Sequence, residues 1–521
     1  MKVPSLSKVE KVAAINREEL FRFGAALLFV VGIMLFTIVR TEAGPQGVLL
    51  VVAAMIGGYM AMNIGANDVA NNVGPAVGSR AITLSGAIII AAIFESSGAI
   101  IAGGDVVGTI KRGIIDPALI DDRNTFIWLM IAALLAAALW LNFATAIGAP
   151  VSTTHSIVGG VLGAGVAAGG WGIADWQQTG AIAASWVISP VMGGAIAAAF
   201  LYLIKRTISY QDDVLAAARK MVPLLVALMA WAFSAYLILK GLKHLWKVPF
   251  GFAALYALGA AIVVYLVVRP LVQRAAEHLP NDKAGVNELF TIPLIFAAAL
   301  LSFAHGANDV ANAVGPLAGI NEAIVGGAVA AEASIPLWIM LVGALGISLG
   351  LALYGPKLIR TVGSEITELD KTRAFCIALA AAITVLIASQ LGLPVSSTHI
   401  AVGGVFGVGF LREYLKVNYS RMIDEIKQHH EGDSPEAVDA FLHRFEAASV
   451  QDKGIMLSEL KRRASPKLYK SERKNLRRMY RLELVKRSLL LRIAAAWVIT
   501  VPFAGLMGGI FFFTIRGMML P

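Results

Sequence analysis

The residues of this sequence that are best suited to binding ions are acids, amides and hydroxyls that recur in two pairs of short motifs. One motif reads GANDVANNVGPAVG over residues 65–78 and returns as GANDVANAVGPLAG over 306–319, with 11 of 14 positions identical. The other reads GAPVSTTHSIVGGVLGAG over 148–165 and returns as GLPVSSTHIAVGGVFGVG over 392–409, with 12 of 18 identical. Because the copies keep their order and similar offsets, the chain contains a duplication.

The GANDVAN motifs predict a cation site. Asp68 and Asp309 supply hard carboxylate oxygens that suit Na⁺, H⁺ or a divalent metal. A glycine begins each motif and a proline lies near its end, so we expect a broken helix whose freed carbonyls line an ion path. The alternative is that the amides only join helices, but an acid in both copies favours ion binding. The amide side chains that complete the predicted site are Asn67, Asn71, Asn308 and Asn312.

The PVSTTH and PVSSTH motifs predict an anion site. Pro150 and Pro394 favour the start of a helix, and Ser152 and Ser396 are suitable N-caps, so simple capping is one interpretation. A helix N-terminus rich in hydroxyls also attracts anions, because free N–H groups and the positive end of the helix dipole converge there. The candidate anion ligands are Ser152, Thr153, Thr154, Ser396, Ser397 and Thr398, together with Asn71 and Asn312.

Three further ionisable residues could contribute to the chemistry of these motifs. His155 and His399 end the hydroxyl motifs and could relay a proton, accept the hydroxyl of a protonated anion, or orient a carboxylate. Glu95 lies inside an apolar span and is predicted to take part in cation coupling. Its surroundings have no clear copy in the second half of the chain. Glu332 is a weaker candidate near a helix end.

The elements that carry these motifs are apolar helices. The chain of 521 residues is 57% apolar and 15% charged, and it contains 51 glycines. Many stretches approach the roughly 20 residues that a helix needs to cross a hydrocarbon core. The composition therefore predicts an all-α polytopic membrane protein. The predicted spans are residues 22–40, 46–64, 82–103, 125–146, 181–204, 221–241, 249–268, 287–304, 334–353, 371–391 and 489–515.

Two shorter glycine-rich stretches, 150–168 and 394–410, carry the hydroxyl motifs. Each is either a full crossing or one arm of a re-entrant hairpin, so the chain is expected to have about 11–13 membrane segments. Charge predicts their orientation, since Lys and Arg close to helix ends mark the cytoplasmic side. Residues 461–487 hold 12 basic residues, whereas the equivalent link WGIADWQQTGA (171–181) holds none. The two halves are therefore predicted to be inverted, as in many secondary transporters.

This organisation divides the chain into six parts. A tail and an extra helix span 1–45, the first half of the repeat spans 46–204, and linking helices span 205–286. The second half begins at 287–411, is interrupted by a basic cytoplasmic insertion at 412–488, and ends with the last helix at 489–521. The insertion holds 18 basic and 12 acidic residues, so 18 − 12 = +6 of the net charge of +10 lies there. Basic residues beside a membrane span predict attraction to anionic lipid headgroups rather than to nucleic acid.

Through these motifs, and through FESSGAIIAGGDVVGTIKRGIID over 94–116, the sequence resembles the inorganic phosphate transporter (Pit) family, bacterial type. The resemblance covers nearly the whole chain apart from the first helix and 412–488. It implies a secondary active transporter that imports orthophosphate through the cytoplasmic membrane with Na⁺, H⁺ or a divalent metal. It also implies phosphate contacts at the hydroxyl triplets, cation contacts at the Asn-Asp pairs, no bound cofactor and a homodimer.

One departure from the family pattern bears on the coupling ion. Sodium-coupled animal members carry a glutamate sixteen residues before the proline of the second hydroxyl motif, where this sequence has Ala378. This difference favours proton or metal–phosphate coupling over sodium. The alternatives are a sulfate permease of the same fold and an anion channel. A membrane enzyme is disfavoured, because adjacent Thr and His residues at one helix start do not assemble a nucleophile with its base.

Overall fold

The structure is a computed structural model that describes residues 6–120, 122–146, 151–241, 248–326, 335–365, 369–429 and 487–519. Pro150, Glu332 and residues 430–486 of the predicted insertion lie outside these ranges. Within them the chain is helical almost throughout, and its β-type pairing is a single bridge between Ile115 and Ala174. The fold is therefore all-α, as predicted.

Helix α1 (Leu6–Arg40) precedes the repeat. The helices of the first half are α2 (Pro45–Asn67), α3 (Val69–Gly78), α4 (Leu84–Ala102), α5 (Gly104–Gly108), α6 (Arg123–Ala146), α7 (Thr153–Gly169) and α8 (Trp176–Ile204). The remaining helices are α9 (Val214–Tyr236), α10 (Phe250–Ala276), α11 (Lys283–Leu289), α12 (Thr291–Gly326), α13 (Leu337–Glu365), α14 (Lys371–Gln390), α15 (Ser397–His429) and α16 (Arg487–Met519).

Within the described ranges, eleven segments are long and apolar enough to cross a membrane, and they overlap the eleven predicted spans. Burial separates the core of the bundle from its lipid-facing helices. The apolar window of α12 is 89% buried, whereas those of α1 and α10 are 11% and 17% buried. The helix that carries the second GANDVAN motif is therefore central.

The helix break predicted at the GANDVAN motifs is wrong in the second half and slight in the first. α12 continues through Asp309 and through Pro316. α2 and α3 meet at Asp68, which keeps φ −84° and ψ −36° and donates its N–H to the carbonyl of Ile64 at 2.9 Å. A proline removes a single backbone donor, and neighbouring helices make that loss tolerable in a membrane span.

The first glycine of each GANDVAN motif allows close helix packing instead. A methyl group on Gly65 would collide with the carbonyl oxygen of Ile347 on α13. A methyl group on Gly306 would collide in the same way with the carbonyl oxygen of Glu95 on α4. The packing of α2 against α13 is therefore equivalent to the packing of α12 against α4. The same contacts make Ile347 the counterpart of Glu95.

The two stretches whose path the sequence left open form the second arms of hairpins. α7 returns along α6, where Gly160 packs on the backbone of Ala133. α15 returns along α14, where Gly404 packs on Ile377. The hydroxyl motifs lie at the turns of these hairpins, and their Ser and Thr side chains are buried in the bundle. Interruption of helical structure at membrane depth therefore occurs at the turns.

The two halves are interlocked by their last helices. α8 of the first half packs on α14 and α15, and α16 of the second half packs on α6 and α7. Glycines permit the close approach: Gly194 lies against Gly403, and Gly163 lies against Gly505. Such small-residue contacts are typical of helix interfaces in membranes. Each hairpin is thus held by a helix of the opposite half.

Candidate functional site

Serine side chains cap the helices that leave the two hairpin turns. Ser152 precedes α7, and its Oγ accepts the N–H of His155 at 3.2 Å. Ser396 precedes α15, and its Oγ accepts the N–H of His399 at 3.3 Å. Both predicted caps are formed. The positive ends of two helix dipoles therefore lie within one buried region.

Asp68 connects the two turns. They contact each other directly, since Thr154 Oγ1 donates to the carbonyl of Val395 at 3.0 Å. Thr153 donates to Asp68 Oδ2 at 2.7 Å, and Thr398 donates to Asp68 Oδ1 at 3.1 Å. A single carboxylate of the first GANDVAN motif therefore accepts hydroxyl groups from both hairpins. The Asp68 side chain is 1% exposed, so these bonds form away from bulk water.

The last asparagine of each GANDVAN motif reaches across to the hairpin of the other half. Asn71 Nδ2 donates to Thr398 Oγ1 at 2.8 Å. Asn312 Nδ2 donates to Thr154 Oγ1 at 3.1 Å and to Thr153 Oγ1 at 3.2 Å. Asn71 is the counterpart of Asn312, and Thr398 is the counterpart of Thr154. The same contact therefore forms twice, each time between the halves.

The first asparagine of each motif holds the hairpin of its own half. Asn67 Nδ2 donates to Thr145 Oγ1 at 2.8 Å, and Asn308 Nδ2 donates to Ser389 Oγ at 3.0 Å. Thr145 and Ser389 occupy equivalent places near the ends of α6 and α14. Asn308 also accepts the backbone N–H of Val395 at 3.2 Å. These amides therefore position the hairpin turns.

A charged network surrounds His305, a residue that the sequence motifs did not single out. Its Nδ1 lies 2.6 Å from Glu95 Oε2, and its Nε2 lies 3.0 Å from Asp309 Oδ2. The other carboxylate oxygen of Glu95 accepts Nδ2 of Asn72 at 2.8 Å. All four side chains are buried. Glu95 is therefore linked to the Asp309 motif through an imidazole.

This network occurs in one half of the repeat and not in the other. Ile64 stands where the second half has His305, and Ala313 stands where the first half has Asn72. Ile347 occupies the place equivalent to Glu95. Three apolar side chains thus replace three polar ones, so the environment of Asp68 differs from that of Asp309. The signal for His305 in the sequence is an ionisable residue directly before a GANDVAN motif within an apolar span.

The two predicted proton-relay histidines lie against each other behind the turns. The rings of His155 and His399 are 4.7 Å apart between centroids, in an edge-on arrangement. The ring of His155 also lies 3.9 Å from that of Trp186 on α8. Within the described part of the chain, neither ring nitrogen of His155 has a hydrogen-bond partner, and the same is true of Ser397 Oγ. The His155 ring and Ser397 Oγ are therefore close to the polar cluster without being bonded into it.

The structure also provides a set of atoms that can bind a cation. One atom each of Asp68, His305 and Asp309 lie within 4.8 Å of one another. Within the described ranges, Asp309 Oδ1 has no hydrogen-bond partner. Carboxylate oxygens suit Na⁺ and Mg²⁺, and an imidazole nitrogen suits a transition metal or a proton. The donor set is therefore compatible with each of the predicted coupling ions.

Every described side chain predicted to bind the anion or the cation, or to relay a proton, is buried in this region. The hydroxyl triplets of both hairpins and the GANDVAN acids and amides meet there, and Glu95 joins them through His305. Sequence reasoning missed His305 and Asn72 in the charged network. It also missed Thr145 and Ser389, because they lie outside the motifs and a single Thr or Ser in a helix is too common to indicate a site.

Comparison with known proteins agrees with this architecture. A family model described as the phosphate transporter family (PHO4) matches residues 64–508. A candidate phosphate permease of Helicobacter pylori strain J99 is 53% identical over 523 residues, which cover 98% of each chain. A candidate phosphate permease of Chlamydia trachomatis is 37% identical over 401 residues, which cover 73% of this chain and 93% of the relative.

A solved structure is similar over most of the chain. It is named the sodium-dependent phosphate transporter, and it superposes with a TM-score of 0.74 at 31% sequence identity. The match covers 91% of this chain and 100% of that chain. The similarity of this chain to its relatives thus extends over nearly its whole length and includes the hairpins and the paired motifs. The chain belongs to the phosphate transporter family and is a multi-pass membrane protein.

Proposed function

We propose that this protein is a secondary active transporter that imports inorganic phosphate by cation-coupled symport across the cytoplasmic membrane. The observation that carries the proposal is the position of Asp68, which accepts hydroxyl groups of Thr153 and Thr398 from both hairpins. Asp68 would bind the cation, and it also orients the hydroxyls of both turns. Binding of the cation would therefore affect the groups that hold the anion. Inverted halves around one buried site suit alternating access.

The proposed phosphate ligands are donors at the two turns. The hydroxyl groups of each triplet and the N–H groups of two helix N-termini converge there, and these groups stabilise an anion. Asn71 and Asn312 add amide donors from the opposite half. The four motif copies contain no Lys or Arg. The anion would therefore be held by neutral dipoles, and its release would follow the departure of the cation.

A coupled cation is needed on energetic grounds. Moving one negative charge into the cell against an inside-negative potential costs roughly 2.3 kcal/mol per 100 mV. Moving a phosphate dianion therefore costs about 4.6 kcal/mol per 100 mV. A carrier without counter-charge would therefore release phosphate from the cell. We assign the compensating cation to Asp68 and Asp309, with the ionisable side chains of His305 and Glu95 as neighbours. The charged network on the Asp309 side makes the two acids inequivalent, so Asp68 is the first candidate for reversible cation binding.

The coupling ion remains a choice among three. The solved relative is named for sodium, which supports Na⁺. Ala378 stands where sodium-coupled animal relatives carry a glutamate, which supports H⁺ or a metal–phosphate complex. His305 adds a nitrogen donor to the acids, which also suits a proton or a divalent metal.

Phosphate is favoured over sulfate by the acceptors in the site. At neutral pH phosphate carries one or two hydroxyl groups that need acceptors, whereas sulfate carries none. Asp68, Asp309 and the asparagine carbonyls provide such acceptors. The relatives named above are described as phosphate permeases, which supports the same substrate.

Transport without catalysis is supported by the environment of the histidines. The ring of His155 lies against the rings of His399 and Trp186 rather than against a hydroxyl group that it could activate. A triad would need that contact. The homodimer implied by the family resemblance and the location in the cytoplasmic membrane are part of the same proposal.

The decisive experiment is uptake of ³²P-phosphate by purified protein in liposomes. Gradients of Na⁺, H⁺ and Mg²⁺ are imposed one at a time, with sulfate as a competitor. The proposal predicts saturable uptake that one gradient drives and that collapse of that gradient abolishes. Equal uptake without any gradient would indicate a channel, and uptake competed equally by sulfate would indicate the sulfate permease.

A further inference from the structure

Residues 104–113, here called the strap, connect the end of α4 to the loop before α6. The strap consists of α5 and a wider helical turn over Thr109–Gly113. Directly after it, Ile115 forms the bridge to Ala174 in the link between α7 and α8. The strap therefore lies at the end of the bundle where the first hairpin has its base. By the distribution of charge, this end is predicted to be external.

Ion pairs fix the strap to two helices outside the hairpins. Asp105 pairs with Lys240 in the turn that follows α9. Lys111 pairs with Glu322 near the end of α12, and both side chains are buried. Ile110, between these pairs, packs against Gly315 of α12. A buried ion pair is costly to separate, so the strap is anchored on this side.

On its other side the strap contacts the turn of the second hairpin. Thr109 Oγ1 donates to the carbonyl of Gly392 at 2.7 Å. Gly392 has φ +67°, a conformation that other residues rarely adopt. The backbone conformation of the turn therefore directs this carbonyl towards Thr109. The exposed fraction falls from 67% at Leu391 to 0% at Val395. The contact therefore lies at the boundary between the exposed tip of the hairpin and the buried polar cluster.

We propose that Thr109 is a latch that keeps the second hairpin closed over the site from the end of the bundle where the strap lies. This inference rests on the proposed transport function, because alternating access requires the site to open at each end in turn. A neutral hydrogen bond is weak compared with a buried ion pair, so the latch can break while the anchors hold. Opening at this end separates Gly392 from Thr109 and leaves the strap on α12.

The first test measures opening directly. A reporter cysteine is placed at the buried Ala388, one turn below the tip, in a Cys376→Ala background that removes the only native cysteine. Its labelling by a membrane-impermeant maleimide is followed in liposomes. Thr109→Val removes the hydroxyl at nearly constant volume and is expected to raise the labelling rate by about two- to tenfold, the value of one hydrogen bond. Thr109→Ser keeps the hydroxyl and is expected to restore the original rate.

The matched control is Thr384→Val on α14. Thr384 belongs to the same hairpin, but its hydroxyl bonds only to the carbonyl of Ala380 in its own helix, at 2.8 Å. Its loss should leave the labelling rate unchanged. Equal labelling rates for Thr109→Val and the parent protein would overturn the latch, and so would an equal increase in the Thr384 control.

The second test locks the contact and does not depend on Thr109→Val being well folded. Cysteines in a Thr109→Cys, Leu391→Cys variant are joined by a short methanethiosulfonate cross-linker. Phosphate uptake is expected to fall with the cross-linked fraction and to return on reduction. Full uptake by fully cross-linked protein would overturn the proposal. If the parent protein shows no uptake, the transport function fails instead, and the labelling test still decides whether Thr109 closes the hairpin.

Discussion

His305 lies 2.6 Å from Glu95 across the interface between α12 and α4, and the equivalent positions in the other half of the repeat, 64 and 347, are both isoleucine. The duplicated site is therefore symmetric in its hydroxyls and amides and asymmetric in its charges. All of these groups are buried, so a structural role of the network has to be distinguished from a role in transport. The apolar residues at the equivalent positions of the other half define a variant that distinguishes these two roles.

Replacing the polar network by its counterpart from the other half is predicted to preserve the fold and to abolish transport. The variant is Asn72→Ala, Glu95→Ile and His305→Ile together. Apolar replacement of the whole Glu95–His305 pair is often neutral or stabilising, and it leaves Asp309 in the apolar surroundings that Asp68 has in the other half. His305→Ile alone also leaves Glu95 as a buried carboxylate and should cost about 3–5 kcal/mol. Thermal unfolding in detergent measures the first effect, and ³²P-phosphate uptake measures the second. Normal uptake by the triple variant would show that the network is only structural.

Removing the charge of Asp68 is predicted to lower the initial rate of phosphate uptake by about tenfold or more. The reason is that hydrogen bonds to a charged group are worth about 1.5–3 kcal/mol, and the cation would lose its ligand as well. The variant is Asp68→Asn, assayed at several concentrations of the driving cation. Asp116→Asn is the control, since Asp116 is exposed and its side chain caps the short turn Pro117–Leu119. Unchanged dependence on the cation in Asp68→Asn would contradict the proposed coupling.

The two equivalent hydroxyls, those of Thr154 and Thr398, are both predicted to contribute to phosphate binding. Thr154→Val and Thr398→Val each remove one hydroxyl that accepts an asparagine N–H from the opposite half. Each should raise the KM for phosphate by about fivefold or more, since a hydrogen bond is worth about 1 kcal/mol, and Thr398→Val should have the larger effect because its hydroxyl also donates to Asp68. Thr37→Val is the control, because the hydroxyl of this buried threonine donates to the carbonyl of Ile33 in its own helix. A large effect of one variant and none of the other would show that the anion contacts a single turn.

Methyl groups at the first glycines of the GANDVAN motifs are predicted to destabilise the bundle. Gly65→Ala and Gly306→Ala each push a Cβ into a backbone carbonyl of the facing helix, and overpacking of this kind costs about 1–3 kcal/mol. A lower temperature of unfolding in detergent would show this. Gly259→Ala on α10 is the control, since nothing lies within 4 Å of a Cβ there. Equal unfolding temperatures for Gly65→Ala and the control would show that the helices can separate without loss.

Much of the fold could be predicted because its signals are local. An apolar stretch of about 20 residues marks a span whatever surrounds it, and repeated motifs reveal the duplication by themselves. The predicted helix break failed for a reason that is not local. Gly65 and Gly306 are small because another helix passes close to them, and the sequence near a glycine does not distinguish close packing from a bend.

The sequence by itself determined the residue types of the site: paired acids, paired amides and two hydroxyl triplets, each attached to an apolar helix. Only the tertiary structure decided which of them meet. Asn71 and Thr398 are separated by 327 residues and come from opposite halves. Their contact depends on hairpins that turn back inside the bundle and on α8 and α16 crossing to the other half. Hydrophobic periodicity does not predict this packing between the halves, since an arm of a hairpin and a full crossing have the same apolar sequence pattern.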